Sequence, residues 1–226
     1  MANSQKNIVY KISLLGDSQV GKTSVFKKMY TGDFSISVST IGVEKRTFFF
    51  NDIDVDIKGK QEKRSFEIHI FDTAGQERYR SLAPNYIKGS DGVILIYDIT
   101  KKESFEHVEE WLSSVKEIIA DLNKNDYLIM ILGNKLDLIK ENENLREVSI
   151  EEVKKKYENS NIILGGEVSA KDFSDEQLLD IIKNFTITLF NKIGENNAIK
   201  RHDSTPLNKD KIKNNNKNKN DRKKCC

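Results

Sequence analysis

Short apolar runs alternate with longer amphipathic ones along most of the chain, and this alternation limits its possible folds more than any other feature. The strand-like runs are Ile8–Leu15, Val43–Phe50, Ser65–Phe71, Gly92–Tyr97, Tyr127–Leu132 and Ile162–Val168, each rich in β-branched or aromatic residues. Gly92–Tyr97 and Tyr127–Leu132 are almost wholly apolar, the pattern of strands covered on both faces in a parallel sheet. Helix-like runs lie between them at Lys22–Tyr30, Glu103–Leu122, Ile150–Tyr157 and Glu176–Lys192. Strand–helix alternation predicts one α/β domain over residues 8–193, with a six-stranded, mostly parallel sheet and helices on both faces. Val43–Phe50 and Ser65–Phe71 have no helix between them, so they should form the one antiparallel hairpin. Residues 51–64, NDIDVDIKGKQEKR, are long for a hairpin loop. They are either extra hairpin length turning at Lys58-Gly59 or a solvated surface insertion.

Composition decides what the domain carries. The chain has 226 residues, 37% hydrophobic and 32% charged, with a formal net charge of +2. That small total hides an uneven spread. Residues 200–226 hold ten Lys or Arg against three Asp, a net of +7, which leaves the remainder at −5. From about Gly194 the apolar period stops, so 194–226 should be a disordered basic tail. The two cysteines are Cys225 and Cys226, which excludes a disulfide-stapled scaffold. No apolar run is long enough to span a bilayer, the polar start shows no secretory signal, and Ala2 excludes N-myristoylation. A cytosolic compartment is the expectation.

Four stretches carry chemistry. Gly16-Asp17-Ser18-Gln19-Val20-Gly21-Lys22-Thr23-Ser24 follows an apolar run and opens a helix-like one, the pattern of a P-loop. Glycines there let backbone N–H groups close around phosphate oxygens, and the helix N-terminus adds partial positive charge. Lys22 can neutralise β- and γ-phosphates, and the Thr23 hydroxyl can bind Mg²⁺. Asp72-Thr73-Ala74-Gly75-Gln76-Glu77 follows a strand. Asp72 is placed to hold Mg²⁺, Gly75 offers an N–H to a γ-phosphate oxygen, and Gln76 has the amide needed to orient an attacking water. Asn134-Lys135-Leu136-Asp137 follows the next apolar run. The Asp137 carboxylate can accept guanine N1–H and N2–H₂, and a site built on that pair rejects analogues lacking the donors by roughly 10⁴ or more. Ser169-Ala170-Lys171 again follows a strand, and the alkyl stems of Lys135 and Lys171 can flank a flat base.

Across residues 8–193 these four elements, in this order, resemble the small GTPase superfamily, and within it the Rab family. ERYRSL at 77–82, GVILIYDIT at 92–100, TIG at 40–42 and the terminal Cys225-Cys226 are similar to Rab segments. The resemblance implies a GTP/GDP switch that hydrolyses GTP and regulates vesicle traffic. It makes Thr40 the switch threonine that reaches Mg²⁺ and γ-phosphate, Phe34 the aromatic beside guanine, and Ala170 the backbone N–H that meets the guanine oxygen. The terminal cysteines would carry geranylgeranyl groups, and two anchors beside a basic segment give stable membrane attachment. The partners implied are effectors, an exchange factor, a GTPase-activating protein, a GDP-dissociation inhibitor and an escort protein, with a monomeric chain and no nucleic acid. The implied location is the cytoplasmic face of endosomal or Golgi vesicles, cycling with cytosol.

Four departures from the Rab pattern stand out. Gln19 replaces a common glycine, residues 34–40 are one shorter than usual, Lys45 replaces an effector-facing Phe, and 51–64 is longer than the family hairpin. Gln19 and the short stretch leave open a second reading, a lipid-anchored GTP-binding scaffold that hydrolyses slowly or not at all. An ATPase is opposed by Asn134-Lys135-Leu136-Asp137. His69 reads as part of a solvated strand face, His107 as helix surface, and Trp111 as core away from the switches.

Overall fold

The computed structural model describes residues 7–35, 42–73, 87–121 and 127–194. Its strands are β1 (Ile8–Leu15), β2 (Val43–Ile57), β3 (Lys60–Thr73), β4 (Gly92–Asp98), β5 (Leu128–Asn134) and β6 (Ile162–Glu167). Its α-helices are α1 (Lys22–Thr31), α2 (Lys102–Glu106), α3 (Val108–Asp121), α4 (Leu136–Glu141), α5 (Ile150–Tyr157) and α6 (Asp175–Ile193). The six strands form one sheet in the order β2-β3-β1-β4-β5-β6. Among the described residues only β2 and β3 pair antiparallel; every other pairing is parallel. Every residue of β4 and β5 is buried, as their unbroken apolar sequence requires.

Side chains alternate between two cores, because successive strand residues face opposite ways. Ile12, Leu14, Ile94, Ile96, Met130 and Leu132 join Phe26 and Met29 of α1 and Leu178, Ile182, Phe185 and Leu189 of α6. Val93, Leu95, Tyr97, Ile129 and Ile131 join Phe105 of α2, Trp111 and Val115 of α3, and Val153 and Tyr157 of α5. Helix α6 begins at a reciprocal cap, in which Ser174 accepts from Gln177 N and Gln177 accepts from Ser174 N. The predicted helix Glu103–Leu122 is two segments, α2 and α3, meeting at His107. Helix-like hydrogen bonds still pass through that residue, from His107 N to Glu103 O and from Trp111 N to His107 O. Helix α4 was not visible in the sequence, since six residues are too few to display a helical apolar period.

The 51–64 stretch is hairpin, not a solvated loop. β2 and β3 stay paired to Ile57↔Lys60, and Lys58 and Gly59 turn at φ 54° and 81°, as a two-residue type I′ loop needs. The register shifts between Phe50 and Ile53, an extra residue on β2 where Asp52 stands at φ 54°. Before this bulge the inward residues are Phe48 and Phe50; after it they are Ile53, Val55 and Ile57. A strand has period two, so a single inserted residue is what keeps both apolar sets on one face. Val55 is 1% exposed and belongs to the same core cluster as Phe190 and Ile193 near the end of α6. Val55→Ala is therefore expected to lower unfolding free energy by about 1–3 kcal/mol in chemical denaturation. An unchanged midpoint would mean that the extension does not pack.

Candidate functional site

The chain leaves β1 for β2 and β3 on one side and leaves β4 for β5 on the other, so the connections after these paired neighbours diverge at their carboxyl ends. In open α/β sheets ligands gather at such a switch point. Gly16 follows β1 there at φ 136°, and a Cβ on it would lie 2.2 Å from Ile96 O of β4. Gly21 stands at φ 98°, and its Cβ would lie 2.2 Å from Asn134 Nδ2. Any side chain at either position would displace a neighbour. Gln19 holds φ 64° without being glycine, a conformation that costs an ordinary residue about 1–2 kcal/mol.

Lys22 opens α1 and is 5% exposed. Its Nζ donates to Gly16 O at 2.9 Å and to Asp17 O at 2.6 Å, so the ammonium lies under the loop. Burial brings its pKa down to about 8, against the pull of Asp72 and Asp17. Thr23 Oγ1 donates to Asp72 Oδ2 at 2.6 Å. Asp72 ends fully buried near the tip of β3, and its Oδ1 has no hydrogen-bond partner. Burial raises the Asp72 carboxyl, with the Thr23 hydroxyl and the Lys22 ammonium acting the other way. An orphaned carboxylate oxygen beside a threonine hydroxyl suits a hard divalent cation, which takes oxygen ligands and would recover that desolvation cost. The donor set fits Mg²⁺. Elsewhere on the loop, Ser18 and Gln19 are exposed, Val20 is buried, and Ser24 Oγ donates to Ser35 O at 3.1 Å. Phe34, beyond α1, is 41% exposed.

The other two stretches converge on the same loop. Asn134 is 2% exposed, donates through Nδ2 to Val20 O at 2.9 Å, and accepts at Oδ1 from Ala170 N at 3.2 Å. One amide thus joins three segments far apart in sequence. Asp137 is nearly buried, and its Oδ1 accepts from Ser169 Oγ at 2.7 Å. Ser169 Oγ in turn accepts from Lys171 N and Asp172 N at 3.2 and 2.9 Å, which fixes the hydroxyl and so the carboxylate. Lys135 sits at φ 76° and pairs through Nζ with Asp98 Oδ2 at 2.6 Å. Lys171 reaches out to Glu141 at 2.9 Å.

The comparisons agree with this geometry. A family model described as the Ras family matches residues 11–187. The chain is a Rab-type small GTPase of the Ras family. It is 39% identical over 171 residues to the Ras-related protein RABA4c of Arabidopsis thaliana, covering 75% of this chain and 69% of that protein. It is 39% identical over 154 residues to Rab11A of Lotus japonicus, covering 68% and 61%. To Rab-17 of Homo sapiens it is 37% identical over 163 residues, covering 72% and 69%. The chain thus matches between 61% and 69% of the length of these three relatives.

Within this Rab-type site, Thr40, Gly75 and Gln76 lie outside the described residues, as do Cys225 and Cys226. Three sequence readings change. His107 is not merely helix surface: its Nδ1 lies 2.5 Å from Asp17 Oδ2. Trp111 is core, yet its Nε1 donates to Asp17 Oδ1 at 2.9 Å, so it touches the P-loop. His69 is only partly exposed, bonds Glu67 Oε1 at 2.7 Å, and is held below its usual pKa mainly by burial. Asp98 was missed. Its place at the carboxyl end of a parallel strand beside the P-loop was the signal that could have found it.

Ser169 acts on Asp137 through one buried hydrogen bond to a charged group. Ser169→Ala is expected to weaken GDP binding about tenfold, read by calorimetry, with the fold intact.

Proposed function

We propose that this Rab-type chain cycles between GTP and GDP, hydrolyses GTP in its 8–193 domain, and directs vesicle traffic from membranes to which its 194–226 tail attaches it. The observation that carries the reading is the Asn134 amide, which holds the P-loop against the two segments that face a guanine base. Gly16, Asp17, Ser18, Val20, Gly21, Lys22, Thr23 and Ser24 form the phosphate side. Phe34, Asn134, Lys135, Asp137, Ser169, Ala170 and Lys171 form the base side, where the fixed Asp137 carboxylate selects guanine over adenine. Lys22 holds charge developing on the β–γ bridge and γ-phosphate, and Gln76 orients the attacking water. Thr23, Asp72 and, in the triphosphate form, Thr40 would hold Mg²⁺, which neutralises phosphate charge when bound. Thr40 and Gly75 meet the γ-phosphate and order two loops, about residues 32–45 and 73–90, which its loss releases. Effectors follow the loops by differential affinity.

The scaffold reading rests on Gln19 and the short 34–40 stretch alone, and the comparisons give it no support. The intrinsic rate is slow and an activating protein accelerates it. An exchange factor reloads the site, and a GDP-dissociation inhibitor and escort protein handle the lipidated chain, which works as a monomer. Geranylgeranyl groups on Cys225 and Cys226, with the basic tail, place it on the cytoplasmic face of endosomal or Golgi vesicles. Among the described residues no helix is long and apolar enough to cross a membrane.

Purified protein is expected to take up GTP and GDP with Mg²⁺ and to resist competition by ATP. Gln76→Leu is expected to slow single-turnover phosphate release at least about tenfold. Displacement of GDP by ATP as readily as by GTP would overturn the guanine reading. A tagged chain should lose its membranes when both terminal cysteines become serine; identical distributions in imaging would remove the lipid anchor.

A further inference from the structure

The Asp17 carboxylate stands on the phosphate loop but is turned away from the loop's centre. Both its oxygens are engaged by one helical segment: Oδ1 by Trp111 Nε1 at 2.9 Å and Oδ2 by His107 Nδ1 at 2.5 Å. A carboxylate only accepts, so the imidazole donates through Nδ1. The backbone carbonyl of the same residue accepts from Lys22 Nζ at 2.6 Å. Asp17 therefore joins two things: the lysine under the phosphates and the start of α3. The far end of this link is rigid, since the Trp111 ring is 4% exposed and packed with Val93, Leu95 and Val115. The His107 and Asp17 side chains are 31% and 19% exposed, so the link borders solvent.

A negative charge in a phosphate cradle is repelled by the ligand unless it is turned aside and matched by donors. We propose that His107 and Trp111 are positioning residues for nucleotide retention: they hold the Asp17 carboxylate away from the phosphates and fix the loop carbonyl that seats Lys22. This rests on the reading of residues 16–24 as a guanine-nucleotide loop. Both residues act through Asp17. Loss of either donor weakens the hold that keeps the carboxylate away from the phosphates, the Lys22 seat loosens, and diphosphate leaves faster.

The test is release of a fluorescent GDP analogue from the full-length protein into excess GDP and Mg²⁺. His107→Leu and Trp111→Phe each remove one donor and keep the bulk. Each is expected to speed release about tenfold, with little change in the association rate. His107→Asn puts an amide N–H where Nδ1 was and is expected to restore release to within about twofold of the parent. In an Asp17→Ala background, His107→Leu should add little further, because the carboxylate through which it acts is gone. The chain has one tryptophan, so its emission reports the indole N–H directly and should differ between the parent and Asp17→Ala. His107 and Trp111 are read in separate variants, so failure of one to fold leaves the other decisive. Parental release rates in His107→Leu and Trp111→Phe would overturn the proposal, as would an Asn variant as fast as the Leu variant. A parent that takes up no guanine nucleotide would instead overturn the function proposed above.

Discussion

The close approach of the Asn134 amide to the P-loop is the constraint on which the rest of the site depends. A Cβ at residue 21 would fall 2.2 Å from Asn134 Nδ2, so only glycine admits the contact. The amide then satisfies Val20 O and Ala170 N, buried backbone groups that would otherwise go unpaired. Three loops from three βα junctions are thereby held in one register. The stretches proposed for the phosphate end and the base end of the site are joined in a single unit.

The sheet supplies the frame for that grip. β4 and β5 are buried throughout, and both end in residues the site uses, Asp98 and Asn134. The ion pair from Lys135 to Asp98 links these neighbouring strand ends. At the other edge, the β2–β3 hairpin runs past the sheet and packs Val55 into the core cluster that α6 completes. The bulge at Asn51-Asp52 makes this possible. It shifts the pleat by one residue, so a strand whose inward apolar positions change from even to odd still presents one face to the core. That parity change is written in the sequence, but it reads as a loop until the partner strand shows that pairing continues.

The polar contacts divide by range. Thr23, Asp72, Asn134 and Asp137 were readable because each lies at a strand or helix terminus in a spaced pattern, and the pattern names the chemistry. Ser169 was readable as part of the base side, but its action on the Asp137 carboxylate was not. His107 and Trp111 were read as surface and core because each conforms to the local period of an amphipathic helix. Their partner Asp17 lies 90 and 94 residues away, and no local spacing encodes that distance. Lys135 was read as a stem beside a base; its ammonium is also committed to Asp98, a residue the sequence pattern left unnoticed.

Sequence alone determined the α/β class, the place of every strand and of the longer helices though not the full length of β2 and β3, the antiparallel hairpin, and which stretches are candidates for the phosphate and base loops. Each of these is fixed by short-range chemistry: period two against period 3.6, glycine where backbone must approach, and charged or hydroxylic residues at element ends. Tertiary structure alone decided which face the hairpin extension buries, that one helix run divides at His107, and that the Asp17 carboxylate is held by α3. Those outcomes depend on which surfaces meet when the sheet assembles. Hydrogen bonds and packing act over a few ångströms in space, whatever the separation along the chain.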